Sequence, residues 1–525
     1  MSIFSQISNK KPRTNIFNLS HDRKFSFKMG QITPIMCLET VPGDRFNLST
    51  SQLLRFAPML APIMHEVNVY THFFYVPNRI LWDNWEDFIT GGEDGQSTPQ
   101  FPNLAFTGQI PNGSLADYYG IPSNLNQTGA LVSAIPFAGY NKIYNEYYRD
   151  QNLIDPKPDE LSDGNNSSLN STFLSEPYNR AWQHDYFTSA LPWTQKGAEA
   201  TIPLGTQAPL GYDPGTSQDP AFTQIWNIDG SFLPAPANDP IHALQGGTQD
   251  PALVDVQGRN IDFDLSRSGN FVDLSEATAS TIIDLRRAFK LQEWLEKNAR
   301  GGSRYIESIM SHFGVRSKDQ RLQRPEFLGG SKSPLKISEV LQTSAVDAQP
   351  TPQGNLAGYG ISAGSNSNIS YYCEEHGYIH GFITVMPKPA YFQGLPKHFF
   401  KFDKFDYYWP SFAHIGEQPI INKELYLGDN IEENEETFGY TPRYAEYKFI
   451  PSSVHGEYRT TLDFWHLARK FDNMPKLNQE FIEVQQDNDG LTRIFAVEEG
   501  ETLYCHIYNK VKARRPMPYF GSPKM

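Results

Sequence analysis

Val67-Asn-Val-Tyr-Thr-His-Phe-Phe-Tyr-Val76, closed by Pro77, decides how the rest of the chain is read. A run of β-branched and aromatic residues favours a strand. Val67, Val69, Thr71, Phe73 and Tyr75 alternate with Asn68, Tyr70, His72, Phe74 and Val76, so both faces are largely apolar. Leaving either face in water would cost roughly 25 cal/mol per Å² of apolar surface, so the strand needs cover on two sides. A second sheet supplies one cover. Inserted helices such as Trp82 to Thr90 are the candidate for the other.

Upstream, Lys24 to Gly30 and Pro34 to Val41 alternate like short strands, and Pro42-Gly43-Asp44 signals a turn. Ser49 to Leu60 predicts one or two helical turns, capped by Ser49 or Thr50 and broken by Pro58 and Pro62. Downstream, Trp82, Trp85 and Ile89 share a helical stripe that stops at Gly91-Gly92. Phe137, Tyr140, Tyr144 and Tyr147 have helical spacing. Pro203 to Phe271 is a long excursion dense in Pro, Gly, Asp and Asn, whose Phe222, Trp226 and Phe232 predict local packing of its own. An inserted helical segment follows over 275–313. Its first helix carries Ile282, Leu285, Phe289 and Leu295 on one stripe, with a stop at Gly301-Gly302; its second runs from Arg304 to Phe313. Ser344 to Ser370 reads as loop, and Tyr371 to Met386 as strand. Phe481 to Val484 and Leu491 to Val497 flank Asp487-Asn-Asp-Gly490 as a hairpin. Leu503 to Val511 is the last strand.

The 525 residues include 35 Phe, 27 Tyr, 39 Gly and 38 Pro, which predicts a mainly β chain of short strands and long ordered loops. The net charge is −14, unevenly spread. Residues 1–30, a basic N-terminal arm, hold six Lys or Arg against one Asp; residues 509–525, a basic C-terminal tail, hold five and no acid. The intervening body is therefore −14 − 5 − 5 = −24. Basic ends on an acidic body can turn toward a polyanion. The residues so nominated for contact with nucleic acid are Lys10, Lys11, Arg13, Arg23, Lys24, Lys28, Lys510, Lys512, Arg514 and Arg515. Cys37, Cys373 and Cys505 are too widely spaced to suggest a disulfide framework and are expected as small buried hydrophobes. No run of apolar residues is long enough to cross a membrane, so no membrane insertion is expected.

Catalytic patterns are weak. Gly360-Ile-Ser362-Ala-Gly364 matches a nucleophile elbow and Gly358 to Ala363 a dinucleotide fingerprint, but neither has the strand before and helix after that the chemistry needs. His376 and His380, beside Cys373, would sit about 13 Å apart on a strand, too far to share one ion. The acidic run at Glu432, Glu433, Glu435 and Glu436 reads as a solvated face. No catalytic residue, metal or cofactor is expected.

Longer motifs are more specific. Phe17 to Lys24, Pro42 to Leu48, Arg55 to Pro62, Thr71 to Arg79, Leu191-Pro-Trp193, Arg324 to Gly330 and Arg514 to Gly521 resemble, in the same order, the major capsid protein of microviruses. The likeness is closest to the gokushovirus branch of these small single-stranded DNA bacteriophages. It implies an eight-stranded antiparallel jelly roll with long loop and helix insertions, sixty copies of which form a T=1 icosahedral shell around circular single-stranded DNA. It also implies a threefold protrusion, for which Pro203 to Phe271 is the fitting segment and a host surface receptor the expected partner. Further implied partners are a minor capsid or pilot protein, an internal scaffolding protein and a small basic DNA-binding protein. Assembly in the bacterial host cytoplasm into a virion follows from the same resemblance.

Phe17, Tyr519 and Phe520 are rings available to stack on bases beside the basic ends. The competing reading is a jelly-roll carbohydrate-binding module or hydrolase, since fold alone does not specify function. A DNA-binding protein working outside a shell is disfavoured by the acidic body.

Overall fold

The computed structural model describes residues 13–200 and 282–520, except 107, 124–128, 168–169, 171–173, 199, 303, 342–355, 367 and 498–499; between 201 and 281 it describes only the backbone of six short strands. Two antiparallel sheets organise the chain. In chain order their strands are β1 (Asn15–Asn18), β2 (His21–Phe27), β3 (Thr33–Thr40), β4 (Arg45–Phe56), β5 (Val67–Pro77), β6 (Glu326–Pro334), β7 (Lys336–Leu341), β8 (Leu356–Ser365), β9 (Ile369–Tyr372), β10 (Gly377–Pro387) and β11 (Leu503–Arg515). The first sheet has the order β1-β11-β4-β8-β7, with β2 also pairing β11 and β9 also pairing β4. The second has the order β6-β5-β10-β3.

The opening stretch is β5, in the interior of the second sheet, and both its faces are covered. Val67, Val69, Phe73 and Tyr75 turn inward, with Ile379, Ile383 and Val385 of β10. They pack on Phe46, Leu48, Leu54 and Phe56 of β4 and Leu503, Ile507 and Val511 of β11. Phe74 and Val76 face the other way, with Phe382 of β10. Their cover comes from Trp82 and chiefly from helix α2 (Ile135–Ile143) and the turn after it, through Phe137, Tyr140, Tyr144 and Tyr148. Helix α1 (Trp85–Thr90) starts after Trp82 and contains no buried residue, so Ile89 does not share a buried stripe. Gly91, at φ 83°, ends it in the left-handed region that Gly tolerates. Arg79 fixes the exit of β5 by a two-pronged contact of 2.9 and 3.0 Å with the Glu375 carboxylate.

Several expectations are corrected. Ser49 to Leu60 forms no helical turn: residues 45–56 are β4, with Phe46, Leu48, Thr50, Gln52, Leu54 and Phe56 buried at every second position. Two of these inward positions are polar, which hid the alternation; the Gln52 amide donates to Ser333 Oγ at 2.9 Å. The loop expected over Ser344 to Ser370 contains β8. Its glycines are there because the sheet is crowded: a Cβ on Gly358 would lie 2.6 Å from the Ala61 carbonyl oxygen and Pro62 Cα. The hairpin at Asp487 to Gly490 is absent; Gln479–Ile482 is a helical turn and Leu491–Ile494 a 3-10 turn. There the Asp489 carboxylate faces inward, accepting from Gln485 N at 2.8 Å and lying 3.3 Å from Arg469.

Asn15–Asn18, His21–Phe27 and Leu503–Arg515 are sheet strands and not free ends. Cys373 and Cys505 are buried, and burial pushes both thiols up to about 12. Helix α3 (Ile282–Gly301) is described from Ile282 onward, so 275–281 of the expected segment lie outside the described residues, and Phe289 on its predicted stripe is exposed. Helix α4 (Tyr305–Phe313) ends at Gly314, with φ 67°.

Residues Gln195–Lys297 form a second compact unit. Most of the Pro203 to Phe271 excursion lies outside the described residues, including the packing expected of Phe222 and Trp226. Its backbone pairs Leu210–Tyr212 with Asn270–Val272, joining the two ends of the excursion. Four short strands between them make a sheet of their own.

Candidate nucleic-acid interface

β11 alternates buried and exposed residues along its length. Leu503, Cys505, Ile507, Val511 and Ala513 belong to the core. The alternate set, Tyr504, His506, Tyr508, Lys510, Lys512 and Arg514, is exposed on the opposite face of the first sheet. Pairing extends this face sideways. On β4, Arg45 lies opposite Arg514, Asn47 opposite Lys512, Ser49 opposite Lys510 and Arg55 opposite Tyr504. Tyr372 of β9 lies opposite Arg45, whose guanidinium is 5.8 Å from the ring centroid. On the other flank, Asn18 lies opposite Lys512, and Lys24 opposite His506.

The charge on this face is mostly uncompensated. Lys510 and Lys512 have no carboxylate partner among the described residues, and Arg514 Nε donates to the neutral Thr14 hydroxyl at 3.0 Å. Asp22 neutralises one corner, 2.5 Å from Lys24 and 3.2 Å from His506, and the Lys24 contact holds its carboxyl below the usual range. Cations beside exposed rings and small polar side chains offer phosphate contacts and stacking surfaces together.

The structure thus brings Lys24, Lys510, Lys512 and Arg514 onto one face, and places three other nominated residues elsewhere. The Arg23 guanidinium donates to the Tyr118 carbonyl, and burial lowers its pKa. Lys28 is held between Glu176 at 3.2 Å and Asp487 at 3.1 Å. Arg515 Nε lies 3.2 Å from the fully buried Asp44 carboxylate. Arg13 is exposed, and Lys10 and Lys11 lie outside the described residues. Phe17 and Tyr519 stack on each other, with ring centroids 5.8 Å apart, and Tyr519 also meets Phe520. The sequence reading missed Arg45, Arg55, Tyr372, Tyr504 and Tyr508. The period-2 alternation of 503–515 carried the signal for β11; nothing local marks Arg45 and Tyr372 as its neighbours.

Ser362 is buried in β8, where its hydroxyl donates to the Pro334 carbonyl at 3.2 Å. His380 is fully buried in β10, its Nδ1 3.0 Å from the Tyr119 hydroxyl, and burial lowers its pKa to about 3. No group of His, Cys, Asp and Glu among the described residues could hold a metal ion. No helix among them is long and apolar enough to cross a membrane.

The family model described as "Capsid protein (F protein)" matches residues 5–525. The chain is 39% identical to "Capsid protein VP1" of Bdellovibrio phage phiMH2K, over 99% of this chain and 97% of the relative. It is 35% identical to the protein of the same description from Chlamydia phage 1, again over 99% and 97%. The corresponding Spiroplasma virus 4 protein is 34% identical, over 98% and 96%. These matches run through both sheets and the inserted segments alike, and the chain belongs to the F-protein family of phage capsid proteins.

Proposed function

We propose that sixty copies of this chain close a T=1 icosahedral shell around a circular single-stranded DNA genome, with the open face of the first sheet turned to the DNA. As a major capsid protein the chain is a structural, non-enzymatic virion component that assembles into a multimeric shell. The single observation that carries the genome-facing assignment is the row Lys510, Lys512 and Arg514 beside Arg45, open and almost free of carboxylates. Strand order supports an eight-stranded jelly roll. β2, β11, β4 and β8 are neighbours in one sheet, β3, β10, β5 and β6 in the other, and β2 to β5 alternate between them.

Lys10, Lys11 and Arg13 join the genome contact through the basic arm. The excursion Pro203 to Phe271 is the protrusion that meets a host receptor. Pilot, internal scaffolding and small DNA-binding proteins are further partners, met during assembly in the bacterial cytoplasm. The genome assignment is tested by replacing Lys510, Lys512 and Arg514 with Gln together. Packaged DNA per particle should fall, and each lost phosphate contact should reduce the log affinity against log salt slope by about 0.7. Unchanged packaging and salt sensitivity would sink the assignment. The receptor reading is abandoned if deleting 203–271 leaves adsorption to host cells unaltered.

A further inference from the structure

Between Lys397 and Ile450 the first unit presents a surface crowded with rings. Phe399, Phe402, Phe405, Tyr407, Tyr408 and Trp409 are all exposed, Phe402 to 89%. Tyr447, Phe449 and Ile450 continue it, Ile450 being 91% exposed. At roughly 200 Å² for a large side chain, the exposed part amounts to about 1,000 Å². The largest apolar patch on a typical monomer is about 300–600 Å², and a stable interface needs about 800 Å² per partner.

The backbone of 402–409 and the rings of Tyr408, Trp409 and Tyr447 are held in place. The Asp406 carboxylate accepts from the backbone of Phe402 at 3.0 Å and of Asp403 at 2.8 Å. Trp409 Nε1 donates to the Lys404 carbonyl at 2.8 Å, and Arg443 to the Phe405 carbonyl at 3.1 Å. Tyr408 packs edge-on against Tyr444 and Tyr447, and the Lys401 ammonium sits 4.0 Å over the Tyr447 ring. A surface ordered before binding loses little entropy when it is covered.

We propose that a neighbouring copy of this chain docks on this aromatic surface in the shell. The inference rests on the shell-forming reading above. Two features select a protein over DNA. Two of the five cations of the patch are ion-paired inside the subunit, Lys397 at 3.1 Å from Glu424 and Lys401 at 2.9 Å from Glu446, and Arg443 and Lys448 donate to the Phe405 and Arg443 carbonyls. The open sheet face, by contrast, keeps Lys510 and Lys512 free for phosphate. Charge also selects the partner. Residues 397–412 and 443–450 hold five Lys or Arg against three Asp or Glu, whereas the whole chain carries −14. A weakly positive, ring-covered patch complements the acidic body of a second copy.

Phe402→Asp and Ile450→Asp test this, since both side chains stand in solvent and support no core. The variants should keep the wild-type thermal midpoint as subunits, while sedimenting particles fall at least tenfold. In wild-type particles the backbone amides of 397–412 and 445–450 should exchange at least tenfold more slowly than in free subunits. Wild-type particle yield together with unslowed exchange overturns the docking assignment and leaves the shell reading intact. Normal particles that lose DNA, with slowing confined to filled ones, overturn it in favour of a nucleic-acid surface. A wild-type chain that forms no particles overturns both readings.

Discussion

Arg515 reaches back from the end of β11 to Asp44 in the turn between β3 and β4, with Nε 3.2 Å from the carboxylate. Asp44 is fully buried and also accepts from Val41 N at 3.0 Å, while Arg515 donates to the Glu39 carbonyl at 2.6 Å and lies over the Phe46 ring. The pair therefore pins the last strand to the sandwich. Arg515→Ala would strand a buried carboxylate and should cost about 3 kcal/mol in denaturant unfolding of the subunit. Lys512→Ala, three residues away on the open face, should change stability by less than about 0.5 kcal/mol. Equal effects would show that the two cations do the same job.

Phe73 sits in the sandwich core, 1% exposed, opposite Gly381 of β10. Phe73→Asp places a charge where no partner waits, at a cost above about 4 kcal/mol, a large share of a typical domain's stability. Soluble subunits and particles should both disappear from expression trials. Assembly at wild-type yield would mean that the core lies elsewhere.

Gly358 in β8 passes so close to the 61–62 backbone that an added methyl meets atoms that cannot rotate away. Gly358→Ala should destabilise the subunit by about 1–3 kcal/mol, read from the shift in denaturation midpoint at constant slope. A neutral result would mean that the β4–β5 connection yields easily.

His380 predicts a pH dependence. Its folded pKa is lowered to about 3 by burial, against about 6.5 in the unfolded chain. Between those values the unfolded chain binds a proton that the folded one does not, so stability falls as pH drops below about 6.5. One such histidine contributes up to about 1.4 kcal/mol per pH unit. His72, lowered to about 4 by burial, adds in the same direction. Unfolding free energies at pH 6.5 and 4.5 should therefore converge in His380→Gln relative to wild type; an undiminished gap would remove His380 as a source.

Sequence and structure part company at identifiable residues. β5 was legible because its side chains are apolar on both faces, and that pattern states the need for two covers. β4 was not, because Thr50 and Gln52 occupy inward positions whose partners come from distant strands. β8 reads as loop because its glycines answer to neighbours in space.

For the functional face, the sequence alone determined that both ends of the chain are basic and that Tyr504 to Arg514 alternate. Tertiary structure decided which cations remain available. It spends Arg23, Lys28 and Arg515 on intrachain partners, and it brings Arg45 and Arg55 beside β11 to complete the face. Composition and period are properties of one segment and survive without the rest of the chain. The partner of a charge depends on which strands pair and in what register, and that is settled only when the two sheets close on their shared core.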